Sequence, residues 1–127
     1  MSLRILITGS RDFSDRALAQ QALTWVANVA GVENPADVTV VHGAARGADI
    51  ILAEVASSFG CVVEPHPAKW DELGKRAGIV RNCDMVALGA DVCLAFPLPG
   101  SRGTFHCMRE AEKAGIPVVN CTGIQGW

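Results

Sequence analysis

Short apolar runs alternate along this chain with longer segments whose apolar residues recur every three or four positions. The short runs have the continuity of strands buried on both faces, and the longer spacing is that of amphipathic helices. The runs predict strands at residues 3–8, 38–41, 61–63, 91–96 and 116–120. The longer segments predict helices at residues 14–30, 48–59, 77–88 and 104–114, with Ser14 or Asp15 as the first N-cap.

This strict alternation of strand and helix predicts one α/β domain over residues 1–127. Because parallel strands need helical crossovers, we expect a Rossmann-like three-layer α/β/α fold around a five-stranded parallel sheet. The expected strand order is 3-2-1-4-5, which places the switch point between the first and fourth strands. Residues from about Cys121 onward are predicted to form a tail.

Glycine-bearing loops follow the first, second and fourth predicted strands, whose ends flank the switch point where ligands of such sheets bind. Small residues there let backbone N–H groups approach an anion, and each loop adds an arginine suited to phosphate. We therefore predict that the loops together hold a phosphorylated ligand. The candidate binding residues are Gly9, Ser10, Arg11, Asp12, Phe13, His42, Gly43, Ala45, Arg46, Gly47, Pro99, Gly100, Ser101, Arg102, Gly103 and Thr104, with Arg76, Arg81 and Asn82 from the third helical region.

Each loop also has a plainer explanation, because a glycine after a strand often makes only a turn. That explanation accounts for the glycines but not for the three arginines. The chain has neither G-x-G-x-x-G after the first strand nor G-x-x-x-x-G-K-[ST], which disfavours a conventional dinucleotide site and a P-loop.

Several side chains near these loops have two possible roles. Asp12 and Asp49 either accept hydrogen bonds from ribose hydroxyls or cap their helices. Trp70 either stacks on a base and closes over the site or packs against the helices. His42 either contacts the ligand or makes a structural hydrogen bond.

Basic charge is concentrated rather than widespread. The formal net charge is −2 and half of the residues are hydrophobic, which excludes a disordered chain and gives no global basic field for nucleic acid. Binding of nucleic acid is therefore not expected. The basic residues in or beside the loops, which predict a local anion site, are Arg11, Arg46, Lys75, Arg76, Arg81 and Arg102.

The five cysteines are odd in number and form no C-x-x-C, so the sequence predicts free thiols in a reducing compartment. No His or Cys pair has metal-ligand spacing, and no metal is expected. The first residues lack a signal-peptide pattern, and no apolar stretch approaches a membrane span of about 18 residues. We expect a cytoplasmic protein without a membrane partner.

Four motifs in this order and spacing, ITGSRDF, VVHGAARGAD, GKRAGIVRN and FPLPGSRGT, resemble the SLOG superfamily, specifically its YspA-like branch. That superfamily groups the Lonely Guy phosphoribohydrolases with the DNA-uptake protein DprA and sensors of nucleotide-derived signals. The resemblance covers residues 5–119. It implies a Rossmann-like fold, a nucleotide or ADP-ribose-like ligand without a further required cofactor, and a homodimer or higher homo-oligomer.

The same resemblance leaves binding and catalysis as alternatives. Lonely Guy enzymes carry R-K-x-x-M and P-G-G-x-G-T-x-x-E; here Arg81 and Met85 match, Asn82 replaces the lysine, and Cys107 stands where the glutamate should be. A thiol cannot stabilise an oxocarbenium ion and activate water as a carboxylate does. We therefore favour a sensor or sequestering protein over a nucleoside-monophosphate N-glycosidase that uses Arg81. Single-stranded DNA binding like that of DprA ranks last.

Overall fold

The computed structural model describes residues 2–126, so Met1 and Trp127, the two ends of the predicted domain, lie outside the described residues. Its centre is a five-stranded, all-parallel sheet in the order β3-β2-β1-β4-β5. The strands are β1 (Leu3–Gly9), β2 (Val38–His42), β3 (Val62–Pro65), β4 (Val92–Phe96) and β5 (Val118–Asn120). The predicted fold class and strand order are confirmed.

The helices follow the predicted pattern with one addition. They are α1 (Arg16–Ala30), α2 (Ala48–Phe59), α3 (Trp70–Leu73), α4 (Ala77–Ala87) and α5 (Arg102–Lys113), with short 3₁₀ turns at Pro35–Asp37 and Gly74–Arg76. The polar stretch before α4, for which no helix was predicted, contains α3 and the second 3₁₀ turn. α1 begins two residues later than predicted because Asp15 is its cap and accepts a 3.0 Å hydrogen bond from the Leu18 amide.

Hydrophobic cores fill both faces of the sheet. Ile5 and Ile7 of β1 point into the core under α1 and α2, whereas Leu6 points to the opposite core under α4 and α5. This alternation follows from the period of a strand, which sends successive side chains to opposite faces. Each large aliphatic side chain buried in this way contributes about 1.5–3 kcal/mol of transfer free energy.

The cysteines are free, as predicted, but they are not equally buried. Cys93 and Cys107 are fully buried, Cys61 and Cys121 are half-buried, and Cys83 is exposed. In the described residues 2–126, no cluster of His, Cys, Asp and Glu side chains could hold a metal ion. Within the same residues no helix is long and apolar enough to span a membrane.

The segment after β5, which was predicted to be a tail, makes several hydrogen bonds to the rest of the domain and within itself. The Thr122 hydroxyl donates to the carbonyl of Pro97, at the end of β4, over 2.5 Å. The Asn120 side chain donates to the Ile124 carbonyl and accepts from the Gly123 amide. Gly126 lies directly against the Phe105 ring, leaving no room there for a side chain. The segment therefore closes against the loop that follows β4.

Candidate functional site

A cleft of about 420 Å³ opens at the carboxyl edge of the sheet, where β1 and β4 part. We call it the switch-point cleft. Residues from all three glycine-bearing loops line it, so the loops converge as the sequence predicted. The predicted residues that line it are Gly9, Ser10, Arg11, Asp12, Ala45, Arg46, Arg81, Asn82, Gly100, Ser101, Arg102, Gly103 and Thr104.

Phe13 was expected at the ligand and lies in the hydrophobic core instead. Its side chain is 4% exposed, and its ring centroid lies 5.0 Å from that of Phe96. The reason is a turn closed by the hydrogen bond from the Phe13 amide to the Ser10 carbonyl, after which the chain heads into the core. Phe13 anchors the loop after β1 and does not line the switch-point cleft.

The other predicted residues outside the lining of this cleft have structural surroundings of their own. His42 is buried, and its Nδ1 accepts a 3.0 Å hydrogen bond from the Ala44 amide. Burial lowers the pKa of His42, which suits a neutral ring that accepts. Gly43 lies under the Arg81 guanidinium, whereas Arg76, in the second 3₁₀ turn, and Pro99 do not line the cleft.

Gly47 joins the loops after β1 and β2. Its φ of 81° lies in the left-handed region, and a Cβ there would collide with the backbone of Ser10 and Arg11. The Ala48 amide donates to the Ser10 carbonyl over 3.1 Å. The glycine therefore serves the close approach of two loops rather than an approach to a ligand.

Three amides of the loop after β2 are used within the loop itself and are not free for a ligand. The amides of Gly43 and Ala45 donate to Asp49 Oδ2 over 3.2 and 3.3 Å. The Ala44 amide is used by His42, as described above. This loop closes on itself and forms a wall of the cleft.

The N-terminus of α5 does offer free amides. The first N–H groups of a helix have no acceptor within the helix. Across the described part of the chain, the amides of Gly103 and Thr104 have no acceptor elsewhere either. Both residues line the cleft, together with the basic side chains Arg11, Arg46, Lys75, Arg81 and Arg102. This end of the cleft is suited to bind a phosphate.

Arg81 and Asn82 connect two walls of the cleft. The Arg81 guanidinium donates to the Gly43 carbonyl, and its Nε donates to Asn82 Oδ1 over 3.0 Å. Asn82 Nδ2 donates in turn to the Gly103 carbonyl over 3.2 Å. Burial lowers the pKa of Arg81, but a guanidinium stays charged at neutral pH. The pair fixes the distance between the loop after β2 and the start of α5.

Asp49 is the buried acidic residue in the wall of the cleft, whereas Asp12 is exposed. Asp49 is 6% exposed, and burial raises its pKa to about 6. Sequence analysis could not distinguish a capping role from a ligand-binding role for this residue. The structure gives Gly47 as the N-cap of α2, and the Asp49 carboxylate secures the preceding loop.

Cys107 occupies a buried position beneath the cleft. Its side chain is inaccessible to solvent, and burial raises the pKa of the thiol to about 11. A thiol with that pKa is neutral at physiological pH, so it is neither a general base nor an activated nucleophile.

Trp70 of α3 lies at the rim, about half exposed, and the Arg11 guanidinium sits 5.5 Å from the centre of its ring. It lines both the switch-point cleft and an adjoining cleft of about 490 Å³, which we call the side cleft. The two clefts share Arg11, Ala45, Arg46, Trp70 and Arg81. The short helix α3, which the sequence did not predict, is what brings Trp70 to this place.

The parallel sheet and its switch-point cleft define a Rossmann-like α/β protein. More specifically, the chain belongs to the YspA, cpYpsA-related SLOG family, whose model matches residues 3–73. The matched part contains the loops after β1 and β2, but neither Arg81 nor the start of α5.

Two known proteins are similar over nearly the whole chain. The gene 61 protein of Mycobacterium phage D29 is 51% identical over an alignment of 122 positions, which covers 92% of this chain and 94% of that protein. The solved structure of DNA processing protein A from Helicobacter pylori, described for its single-stranded DNA binding mode, has a TM-score of 0.62 at 19% identity. The match covers 98% of this chain and 74% of that one, and at this identity it shows a shared fold.

Proposed function

We propose that this protein binds a phosphorylated nucleotide, or a nucleotide derivative such as ADP-ribose, in the switch-point cleft. The observation that carries the proposal is the pair of unpartnered amides at the start of α5, which line a cleft with five basic side chains. A helix N-terminus and arginines are the usual partners of a phosphate group. The volume of about 420 Å³ lies within the range of small-molecule sites, which is about 300–1,000 Å³.

The proposed orientation follows from the distribution of charge and aromatic surface. The phosphate lies against Gly103, Thr104 and Arg102 at the start of α5, and the base extends toward Trp70 at the rim. The Trp70 ring is about half exposed, and its contact with the Arg11 guanidinium shows that it accommodates a flat cationic group.

Binding without hydrolysis fits the site better than the Lonely Guy reaction. The residue that matches the catalytic glutamate of those enzymes is the buried, neutral Cys107. The direct check is release of free base from AMP by the purified protein. Release that disappears in Arg81→Ala would establish the hydrolase instead.

Isothermal titration against AMP, ADP, ADP-ribose and inorganic pyrophosphate tests the proposal. Replacing Arg102 by Ala should weaken binding by about 1.5–3 kcal/mol, or roughly 10- to 150-fold in Kd, as expected for a charge-assisted hydrogen bond. Lys113→Ala is the matched control, because Lys113 is an exposed cation in the last turn of the same helix. A folded protein that binds none of the four compounds would exclude this function.

Single-stranded DNA is the second candidate. The observation that favours it is the junction of the two clefts, where Trp70 and the shared arginines line both cavities. Base stacking on an aromatic ring with nearby cations is a common mode of single-strand binding. Fluorescence anisotropy with a labelled oligothymidylate at several salt concentrations separates the candidates. Micromolar or tighter binding that weakens steeply with salt supports DNA.

A further inference from the structure

One oxygen of the buried Asp49 carboxylate has no partner. Oδ2 accepts from the amides of Gly43 and Ala45, whereas Oδ1 is buried without any hydrogen bond from the described part of the chain. A buried polar atom left unpaired costs about 1–3 kcal/mol, so such atoms are uncommon in folded proteins. Asp49 lines the switch-point cleft, which makes a bound molecule a natural source of the missing donor.

The groups around Asp49 do not supply that donor. Arg11 from the loop after β1 and Arg81 from α4 act on the carboxylate electrostatically, but neither lies within the 4.0 Å of an ion pair. From β2, His42 is engaged with the Ala44 amide, and from α5 the thiol of Cys107, which interacts electrostatically with Asp49, is neutral. None of these side chains donates a hydrogen bond to Oδ1 or forms an ion pair with the carboxylate.

We propose that Asp49 is a specificity residue whose Oδ1 accepts a hydrogen bond from a ribose hydroxyl of the bound nucleotide. This inference rests on the proposed function. The phosphate binds at the amides of α5, and the sugar is the part of a nucleotide joined directly to the phosphate. A carboxylate accepts hydrogen bonds and repels phosphate, so it suits the sugar rather than the anion.

The proposal links affinity for the ligand to pH. A hydrogen bond donated to the ionised form stabilises that form, so binding is favoured where Asp49 is ionised. The pKa of Asp49 in the free protein is about 6 because of burial. Affinity should therefore rise roughly five- to tenfold between pH 5 and pH 7.5. ADP-ribose is the right probe for this measurement, because a phosphate monoester titrates near pH 6 itself.

The test compares Asp49→Asn with the wild type. An asparagine can keep its oxygen on the amides of Gly43 and Ala45, but it puts an NH₂ donor where the free acceptor stood. We expect the wild type at pH 7.5 to bind AMP at least fivefold more tightly than 2′-deoxy-AMP or 3′-deoxy-AMP. Asp49→Asn should lose the pH dependence while still binding pyrophosphate. Asp49→Ala, which offers the hydroxyl neither a donor nor an acceptor, should also lose the preference for AMP. Asp37→Asn removes the same charge at an exposed position far from the cleft and should match the wild type.

The outcomes separate this inference from the proposed function. If pyrophosphate binds but Asp49→Ala keeps the preference for the hydroxyl, the role of Asp49 is excluded and the nucleotide site stands. If the wild type binds neither nucleotides nor pyrophosphate, both fall together. Should Asp49→Asn fail to fold, the wild type alone decides. A preference for the hydroxyl that disappears at pH 5 supports the proposal, and a preference that is the same at both pH values overturns it.

Discussion

At the scale of the residue, the contact between the loops after β1 and β2 depends on the absence of a side chain at position 47. Sequence analysis marked Gly47 as a ligand-binding residue, because a glycine that approaches a phosphate and one that approaches another loop look alike in a sequence. The same ambiguity applied to Phe13, which was predicted at the ligand and packs on Phe96. Which way a loop side chain turns depends on tertiary packing that no local pattern encodes.

Gly47→Ala should destabilise the protein by about 2–4 kcal/mol, since it combines a left-handed backbone with a collision against Ser10 and Arg11. Gly100→Ala is the matched control for stability. Gly100 has nearly the same φ, 80°, but nothing lies within 4 Å of a Cβ at this position. It should cost only about 1 kcal/mol. Urea unfolding of the two variants measures the difference, and equal losses would show that backbone strain alone accounts for both.

Asp49 should also make folding stability depend on pH. Its pKa is raised from 3.8 to about 6 in the folded protein, so the folded state holds this proton more tightly than the unfolded chain does. Its contribution to stability is therefore fully present below about pH 4 and is lost as the pH rises through about 6.

Asparagine at this position cannot titrate, which makes Asp49→Asn the reference. Between pH 4 and pH 7, the unfolding free energy of the wild type should fall relative to that of Asp49→Asn by roughly 2–3 kcal/mol. Urea unfolding of both proteins over this range measures the difference, in which the other titrating groups cancel. Parallel pH profiles would show that Asp49 is not perturbed.

At the scale of the element, helices and strands were predictable where an apolar pattern existed and not where it was missing. α3 has no buried residue and therefore no apolar stripe that could announce it. The start of α5 was placed two residues too late, because Ser101 and Arg102 carry no apolar signal. The glycines and the arginine predicted the free amides at the start of α5. Nothing in the sequence predicted the hydrogen bonds within the loop after β2. These bonds depend on Asp49 folding back by six residues to Gly43.

Asn82→Ala should loosen the connection between α4 and α5. It removes the hydrogen bond to the Gly103 carbonyl and leaves that acceptor without this partner, so we expect a loss of about 1–2 kcal/mol in unfolding free energy. Binding of pyrophosphate should weaken as well, because the free amides of α5 are held less firmly. Asp84→Ala, at an exposed position of the same helix, is the control. Full stability together with wild-type affinity in Asn82→Ala would exclude this bridging role.

At the scale of the whole molecule, the strand order was predicted from the alternation of strands and helices together with the common order of Rossmann-like sheets. The right-handed crossover rule leaves few arrangements for five parallel strands, and the apolar runs were long enough to identify each strand. The convergence of the three loops followed from that order, since their strands are neighbours in the sheet. The nature of the ligand does not follow from topology, because the same sheet edge serves many ligands.

A ligand that binds only the folded protein should stabilise the molecule as a whole. At a free concentration one hundred times its Kd, ADP-ribose should add about 2.7 kcal/mol, or roughly 10 °C in Tm for a domain of this size. Differential scanning fluorimetry at pH 7.5 measures the shift, and the shift should be smaller for Arg102→Ala at the same concentration. A Tm that stays constant up to millimolar ADP-ribose would show that this compound is not a ligand.

The segment from Trp70 to Arg76 contains no buried residue and belongs to neither hydrophobic core, yet it supplies Trp70, which lines both clefts, and Lys75, which lines the switch-point cleft. The residues that hold the fold together therefore lie in other parts of the chain than this segment of the rim. If the protein binds a nucleotide as proposed, substitutions in this segment should change which base it accepts without destabilising either hydrophobic core. Family members that share the sheet and the free amides of α5 should therefore differ most in this segment. Exchanging the segment between two members should exchange their preferences for the base.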